Sequence, residues 1–286
     1  MFQNVVIVGP GLIGGSLGLA MKENGLAERI VGVGHRTSSL DRARAMGAID
    51  EGTLDLVAAV GEADLVVLAA SVQLICEHAS TAVGRMKDGA ILTDVGSVKQ
   101  AICDGVRDAL DARSEGTVRF VGAHPLAGSE QRGIQAARGD LYQDALCVLT
   151  PTGETDGDAR TRVRQLWEAV GCRVVEYAPE VHDRMLAQIS HLPHVVAACL
   201  VNTASDDAIE LAAGGFMDTT RVASGDAALW RDICLLNRKA LAESLRDFGE
   251  VFHRFAQAVE NGDAKAVEDE LARAKTRRDD RMPSKG

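Results

Sequence analysis

Runs of apolar, mostly β-branched residues alternate with amphipathic stretches from the start of the chain to Pro179. The runs predict strands at residues 5–9, 29–34, 63–70, 90–95, 120–123, 145–151 and 172–177. The stretches between them, such as 73–86, 98–112 and 158–170, carry apolar residues at helical spacing. Strands separated by helices predict a mainly parallel sheet with helices on both faces.

The pattern changes at Pro179, beyond which only helical periodicity remains, at residues 180–202 and from 229 onward. Pro193 lies inside the first of these helices and has no N–H to donate, so we expect a distortion there. The last helix carries an apolar seam, which packs within the monomer or against a second chain. Its members are Leu241, Leu245, Phe248, Phe252, Phe255 and Val259. We predict an α/β domain over residues 1–178 and an all-α domain over residues 179–286.

Composition excludes several classes of partner. The formal net charge of the 286 residues is -10, and such a field repels nucleic acid and anionic membranes. An anionic substrate would therefore need a local cationic pocket. The six cysteines form no CxxC pair, which favours a reducing compartment over a disulfide or zinc framework. No apolar run approaches the length of a membrane span, so we expect a cytoplasmic protein.

A GxGxxG motif follows the first predicted strand and precedes a helix. In this setting Gly9 permits the tight turn, Gly11 lets a pyrophosphate approach the backbone, and Gly14 lets the helix pack closely on the strand. Leu12 and Ile13 belong to the helix N-terminus, which offers free N–H groups to phosphates. The alternative is a tight turn without a ligand. The position within a βαβ pattern favours a dinucleotide-binding Rossmann domain.

The second predicted strand ends without the acidic residue that usually holds the ribose 2′-hydroxyl of NAD. Gly34 stands there, followed by His35, Arg36, Thr37 and Ser38. A guanidinium and hydroxyl groups suit a 2′-phosphate, so the sequence favours NADP, with NAD as the other possibility. The alternative for Arg36 is an ordinary exposed cation.

Two later strands end in residues that can take part in catalysis. The segment 94–99 (DVGSVK) makes Ser97 and Lys99 site candidates, because ligands of such sheets bind at the carboxyl ends of strands. A helix cap is the alternative for Ser97. At the end of the next strand, His124 is placed to accept a proton beside a nicotinamide, and Glu130 follows closely. A structural His-Pro turn is the alternative there.

The helical part adds further polar candidates. His191 and His194 lie one turn apart, but no third metal ligand is spaced with them, so we expect a polar ligand rather than a metal. Arg221 follows a Gly214-Gly215 break, and we expect it to bind a carboxylate as a fork. A surface ion pair is the alternative.

Five segments in order resemble the prephenate/arogenate dehydrogenase family over nearly the whole chain. They are GPGLIGGSL, DVGSVK, GAHPLAGSE, HDRMLAQISHLPH and GFMDTTRVASGDAALWRD. The resemblance implies a Rossmann domain followed by a helical domain that forms a homodimer. It also implies NAD(P)-dependent oxidative decarboxylation of prephenate to 4-hydroxyphenylpyruvate, a step of tyrosine biosynthesis. An arogenate-specific dehydrogenase is the alternative activity.

The resemblance also implies roles for residues. His124 would be the base for the substrate 4-hydroxyl, and Ser97 would orient that hydroxyl and the cofactor. His194 and Arg221 would hold the side chain and a carboxylate. Ser190 and Glu130 would be polar neighbours in the pocket. Met217 departs from members that have a basic residue at that position, so one anchor is missing.

Two other protein classes share part of this sequence pattern. A β-hydroxyacid or 6-phosphogluconate-type dehydrogenase typically depends on a lysine in the helical domain. No lysine lies between Pro179 and Arg238, which disfavours this class. A non-catalytic NADP-sensing protein would keep the glycines but would not need His124, Ser97 and Arg221 together.

Overall fold

A computed structural model describes residues 1–128 and 131–281. Eight strands form one sheet in the order β3-β2-β1-β4-β5-β6-β7-β8. They are β1 (Phe2–Val8), β2 (Ala27–Val33), β3 (Glu51–Thr53), β4 (Leu65–Leu68), β5 (Ile91–Asp94), β6 (Arg119–Pro125), β7 (Leu146–Thr150) and β8 (Arg173–Glu176). Neighbouring strands are parallel except for the antiparallel pair β6 and β7. The first six strands follow the Rossmann order, so the predicted mainly parallel sheet is confirmed.

Thirteen α-helices are found in the described part of the chain. Six accompany the sheet: α1 (Leu12–Glu23), α2 (Thr37–Ala45), α3 (Leu56–Val60), α4 (Val72–Val83), α5 (Gln100–Asp111) and α6 (Gly157–Ala169). Seven follow it: α7 (Pro179–Leu186), α8 (Leu192–Thr203), α9 (Asp206–Ile209), α10 (Gly214–Thr220), α11 (Ala227–Leu236), α12 (Arg238–Glu260) and α13 (Ala264–Arg281). The predicted all-α region after Pro179 is therefore confirmed.

The sheet has a hydrophobic core on each face. Val5 and Ile7 of β1 belong to one core, and Val6 and Val8 belong to the other. Successive side chains of a strand point to opposite faces, so a strand buried on both sides becomes a continuous apolar run. This is why the strand β1 can be predicted from its sequence.

Three short elements were not predicted. β3 is an edge strand of three residues with no buried side chain, so it lacks an apolar pattern. α2 buries only Leu40 and Ala43 among polar residues. α3 is five residues long and buries only Val60. An element that buries so little apolar surface leaves a weak periodic signal.

The predicted distortion before Pro193 is present as a wide turn. The chain passes from α7 through a π-helical segment, Ala187–His191, into α8, where Pro193 occupies the first turn. The N–H group that proline lacks would have no acceptor within the helix at that position. In the described ranges this stretch, Pro179–Thr203, is the one helix long and apolar enough to span a membrane by length and composition. It carries buried His182 and Asp183, which hydrogen-bond within the fold.

Contacts along the chain divide it into two units, residues 1–237 and 238–286. The first unit contains the whole sheet together with helices α7 to α11. The second contains α12 and α13, described as far as Arg281. The rings of Phe248 and Phe252 on the predicted seam stack on each other with centroids 6.1 Å apart.

Candidate active site

The glycine turn after β1 has the geometry that a dinucleotide requires. Gly9 has a φ of +91°, and a Cβ there would lie 2.4 Å from the carbonyl oxygen of Ala69 at the end of β4. A Cβ on Gly14 would lie 2.4 Å from the carbonyl oxygen of Gly9. A Cβ on Gly11 would meet nothing within 4 Å, so the space beside this backbone is open. Two glycines are therefore needed for packing, and the third leaves room for a ligand.

The first turn of α1 has the features of an anion-binding site. Gly11 is the N-cap residue, so the N–H groups of Leu12, Ile13 and Gly14 have no acceptor within the helix. The turn holds no acidic residue. It lies where β1 meets β4, the point at which the strand order reverses and such folds bind their ligands. These residues fit the pyrophosphate of a nicotinamide dinucleotide.

The end of β2 has a glycine where an acidic residue often stands. A Cβ on Gly34 would lie 3.1 Å from Cδ2 of Leu40, so the Leu40 side chain would have to shift slightly to accept one. The next four residues, 35–38, are exposed, and Arg36 is the N-cap residue of α2. The Arg36 side chain makes no hydrogen bond or ion pair to another described residue. A cation and a helix N-terminus thus lie together at this strand end.

Lys99 is a structural residue, contrary to its prediction as a site candidate. Its side chain is fully buried. Nζ contacts the Asp94 carboxylate and donates to the carbonyl oxygen of Ala123 at 2.7 Å. Asp94 also accepts hydrogen bonds from the backbone N–H groups of Gly96 and Ala123. The ion pair therefore ties the end of β5 to the residue just before His124, because a buried charge must be paired.

Ser97 lies half-buried in the loop between β5 and α5. The alternative that it caps α5 is wrong, because a carboxylate from another helix caps that end. Asp183 of α7 accepts hydrogen bonds from the N–H groups of Lys99, at 2.7 Å, and Gln100, at 2.9 Å. The Ser97 hydroxyl is consequently not used for the cap.

His124 is the first member of a chain of three side chains. Its Nδ1 lies 2.8 Å from Nε2 of His182, and Nδ1 of His182 lies 2.8 Å from Oδ1 of Asp183. His124 stands near the carboxyl end of β6, while His182 and Asp183 stand on α7. His124 and Pro125 both belong to β6 and form no turn there. The contact with His182 fixes the His124 ring.

Both histidines of this chain are neutral near pH 7. Burial lowers the pKa of His124 well below its ordinary value of 6.5, and repulsion from His182, Lys99 and His191 lowers it further. Burial also lowers the pKa of His182, against the opposing effect of its hydrogen bond to Asp183. A neutral imidazole can accept a proton, which an imidazolium cannot.

His194 is buried against an aromatic ring in the helical region. Its ring stacks on Trp230 with centroids 3.5 Å apart and an angle of 13° between the planes. Gly225 makes this stack possible, since a Cβ there would lie 2.5 Å from Trp230 Nε1 and 2.8 Å from His194 Cε1. His194 Nδ1 is buried and has no hydrogen-bond partner among the described residues. A buried polar atom of this kind is suited to a ligand.

His191 is bound within the protein. Its Nδ1 lies 3.0 Å from Nδ2 of Asn237, and the same amide group donates to the carbonyl oxygen of Asp183 at 2.8 Å. Burial lowers the pKa of His191 to about 4. The expectation that His191 and His194 share a polar ligand is therefore revised for His191. No described group of three or more histidine, cysteine or acidic residues is arranged to hold a metal ion.

The remaining predicted residues differ in what can be said of them. Ser190 is half-buried in the π-helical segment Ala187–His191. Arg221 is exposed and opens the 3₁₀ helix Arg221–Ser224, directly after α10. Glu130 lies outside the described residues. Their assignment to substrate binding stays a prediction.

Sequence reasoning missed four residues of this region: His182, Asp183, Trp230 and Asn237. The first two could have been found from the adjacent His-Asp pair in the first turns of a helix that starts at Pro179. Trp230 and Asn237 gave no local signal, because each acts on a partner far away in the sequence.

Comparison with known proteins agrees with this geometry. A family model for the nucleotide-binding domain of prephenate dehydrogenase matches residues 17–176, and one for its dimerization domain matches residues 178–273. Prephenate dehydrogenase of Bacillus subtilis (strain 168) is 35% identical over 98% of this chain and 76% of its own length. Cyclohexadienyl dehydrogenase of Zymomonas mobilis is 34% identical over 92% of this chain and 90% of its own length.

Solved structures give the same result. Prephenate dehydrogenase from A. aeolicus, in complex with hydroxyphenyl propionate and NAD+, has a TM-score of 0.89 and 31% identity, covering 97% of this chain and 98% of that one. Synechocystis arogenate dehydrogenase has a TM-score of 0.83 and 30% identity, covering 97% of this chain and 99% of that one.

An open glycine turn and a neutral histidine lie at the carboxyl ends of two parallel strands of one Rossmann sheet, and with these relatives they indicate a nicotinamide-dependent oxidoreductase. The two family models together cover most of the chain. The chain belongs to the prephenate dehydrogenase family.

Proposed function

We propose that this protein oxidises and decarboxylates prephenate to 4-hydroxyphenylpyruvate in tyrosine biosynthesis. The observation that carries the proposal is His124, neutral and fixed by His182 at the sheet edge that also holds the glycine turn. The relatives named prephenate dehydrogenase support the choice of substrate.

The reaction requires one proton acceptor and one hydride acceptor. His124 takes the proton of the ring 4-hydroxyl while the C–H bond at the same carbon breaks and its electron pair leaves as hydride. The bound nicotinamide supplies the hydride acceptor. The bond from the ring to its carboxylate then breaks and CO2 leaves. The electron pair moves through the ring to the 4-oxygen, which takes the proton back and becomes the 4-hydroxyl of the product. Formation of the aromatic ring makes the step effectively irreversible, and Ser97 orients the hydroxyl.

Substrate binding falls to the helical region in this proposal. Arg221 binds a carboxylate and supplies the local positive charge that a protein of net charge -10 otherwise lacks. The buried Nδ1 of His194 hydrogen-bonds the substrate side chain. Ser190 and Glu130 complete the polar lining.

Arogenate is the second candidate substrate, because Synechocystis arogenate dehydrogenase has a similar fold over 97% of this chain. Prephenate carries a keto group where arogenate carries an ammonium group. A neutral histidine at position 194 can donate to the keto group or accept from the ammonium group, so the choice of prephenate is supported by the relatives named prephenate dehydrogenase.

The test is turnover of purified protein with prephenate or arogenate and with NAD or NADP, followed by the absorbance of the reduced nicotinamide. We expect the fastest turnover with prephenate. His124→Asn is the matched variant, and we expect kcat to fall by about 10²–10⁴-fold, as removal of a general base does, with nucleotide affinity unchanged. Absence of turnover in all four combinations would reject the enzyme and favour the NADP-sensing protein.

For the cofactor, we propose a preference for NADP over NAD. Support comes from Arg36 at the end of β2 and from the glycine at Gly34, where an acidic residue would otherwise bind the ribose of NAD. The 2′-phosphate of NADP would lie beside the guanidinium and the N-terminus of α2, with His35, Thr37 and Ser38 as neighbours.

We also propose that two chains form a homodimer through the helices after residue 178, with that residue as the boundary between the domains. Support comes from the match to a dimerization domain over residues 178–273 and from exposed apolar side chains such as Leu211, Met217 and Phe252. Sedimentation velocity checks this, and a species of one chain mass, 30.3 kDa, would contradict it. A cytoplasmic location remains part of the proposal.

A further inference from the structure

We propose that His182 and Asp183 are positioning residues that fix the proton of His124 on Nδ1 and so leave Nε2 free as the catalytic base. The inference rests on the proposed function, because it concerns the residue that takes the proton of the substrate. It assigns a role to two residues of α7 that lie 58 or more positions from His124 in the chain.

The argument begins at Asp183, which accepts at both carboxylate oxygens. Oδ2 accepts from the N–H of Gln100, and Oδ1 accepts from the N–H of Lys99. Backbone N–H groups can only donate, and the N-terminus of α5 stabilises a negative charge. A carboxylate has no proton to donate. Nδ1 of His182 must therefore carry a proton and donate a hydrogen bond to Oδ1.

The tautomer of His182 then determines that of His124. His182 is neutral because burial lowers its pKa, so a ring with its proton on Nδ1 has a lone pair on Nε2. That lone pair faces Nδ1 of His124 at 2.8 Å. His124 is neutral too and must place its single proton on Nδ1 to make this hydrogen bond. Its Nε2 is left without a proton.

Such an arrangement also stabilises the product of the proton transfer. When Nε2 of His124 takes the substrate proton, the ring becomes an imidazolium whose Nδ1–H still donates to His182. The negative Asp183 carboxylate at the far end of the chain stabilises the new positive charge. A carboxylate that orients a histidine in this way acts without becoming protonated.

Other charged or titratable groups facing His124 do not set its tautomer. The charge of Lys99, and that of His191 when its ring is protonated, lower the pKa of His124. Lys99 is occupied by Asp94 and the carbonyl oxygen of Ala123, and His191 is bound to Asn237. Among the described residues, only His182 contacts a ring nitrogen of His124.

Asp183 has a second consequence for the site. Its bonds to the N–H groups of Lys99 and Gln100 fix the end of the loop that carries Ser97. One carboxylate of the helical region thus positions both predicted catalytic side chains of the sheet region.

The test compares His182→Leu, which cannot accept from His124, with His182→Gln, whose amide can accept from His124 and donate to Asp183. We expect His182→Leu to lower kcat by about 100-fold or more, with KM for prephenate changed less than about threefold, because it removes orientation rather than substrate binding. His182→Gln should recover kcat to within about tenfold of the unchanged protein.

A double-variant cycle separates positioning from a merely structural role. In the His124→Asn background the positioning role has no base to act on, so His182→Leu should change the residual rate less than about twofold. An equal loss in both backgrounds would overturn the proposal, and so would a His182→Leu protein with unchanged kcat. If His182→Leu fails to fold, His182→Asn takes its place, since this shorter amide is too short to reach both partners.

The control for loss of a buried hydrogen bond is Thr93→Val. Thr93 is buried in β5 and its hydroxyl donates to the carbonyl oxygen of Val121 at 2.7 Å, without contact to His124. We expect this variant to lose stability and to keep kcat. If the unchanged protein turns over neither prephenate nor arogenate, the proposed function is wrong. If it turns over a substrate but the variants do not behave as expected, only the positioning role is wrong.

Discussion

Several buried polar side chains in this protein form hydrogen bonds or ion pairs to groups that have further hydrogen bonds of their own. Lys99 bonds the Asp94 carboxylate and a β6 carbonyl, and Asp183 bonds two backbone N–H groups and a histidine. Four buried side-chain atoms of the described chain have no partner, namely Gln100 Oε1, Arg113 Nε, Trp167 Nε1 and His194 Nδ1, and the last of these belongs to a predicted substrate-binding residue. A site thus combines side chains whose hydrogen bonds are complete with one whose hydrogen bond awaits a ligand.

Arg36 allows a sharp test of cofactor preference at the scale of one residue. We expect Arg36→Asp to lower kcat/KM for NADP by about 10–100-fold, because a charge-assisted hydrogen bond worth about 1.5–3 kcal/mol is lost. The kcat/KM for NAD should change less than about threefold. Steady-state kinetics with both nucleotides measures the ratio.

Arg42→Asp is the matched control, since Arg42 is also exposed on α2 but lies in its last turn. It changes the net charge equally and should leave the ratio of the two nucleotides unchanged. A ratio unaffected by Arg36→Asp, or kcat/KM for NAD at or above that for NADP in the unchanged protein, contradicts the preference.

At the scale of elements, the sequence predicts what local pattern controls. The glycine turn could be predicted because each of its glycines answers a steric demand within one βαβ unit, and β1 because both its faces are buried. The cap of α5 could not be predicted, because its donor groups and the Asp183 carboxylate are 84 positions apart. The His182-Asp183 pair is visible in the sequence, but its contact with His124, 58 positions away, is not. Ser97 could be named, but only the structure removes its capping alternative.

The junction of β1 and α1 separates packing from ligand binding. We expect Gly14→Ala to lower the free energy of unfolding by about 1–3 kcal/mol, the usual cost of overpacking, because its Cβ would overlap the Gly9 carbonyl oxygen and Ala69. Gly11→Ala has open space, so its stability should stay within about 0.5 kcal/mol. Its KM for the nucleotide should rise about tenfold or more, since the Cβ takes the place of a phosphate.

Chemical unfolding and steady-state kinetics on both glycine variants measure these effects. Gly11→Ala serves as the control for Gly14→Ala in the unfolding experiment, because both add one methyl group to the same turn. A Gly11→Ala protein that binds the nucleotide as before would contradict the assignment of this turn to the pyrophosphate.

At the scale of the whole molecule, the sheet and the first helices after it form one unit although a domain boundary was expected between them. Two interactions within this unit explain the result. Asp183 of α7 caps α5, and Asn237 at the end of α11 donates to the carbonyl oxygen of Asp183. Neither interaction has a sequence signature. The periodicity therefore predicted where the strands end, but it did not predict which helices belong to the same unit as the sheet.

The same buried histidines make the stability of the whole fold depend on pH. Burial lowers the pKa values of His124, His182 and His191 below 6.5, so the unfolded chain binds protons that the folded protein does not. Stability is therefore present above pH 6.5 and is lost as the pH falls below it. Between pH 7 and pH 5.5 we expect His124 and His191 each to reduce the free energy of unfolding by about 1 kcal/mol, and His182 to add to the loss in the same direction. Urea unfolding at fixed protein concentration, followed by circular dichroism, measures the change.

His191→Gln isolates one contribution, because the glutamine oxygen can still accept the hydrogen bond from Asn237 while the side chain no longer titrates. This variant should lose about 1 kcal/mol less than the unchanged protein over the same pH interval. Carboxylates held by ion pairs, such as Asp50 and Glu176, have lowered pKa values and stay ionised throughout this interval, so they leave the difference unaffected. Equal losses for the two proteins would mean that His191 binds its proton equally well in the folded and the unfolded protein, which would contradict the lowered pKa of His191.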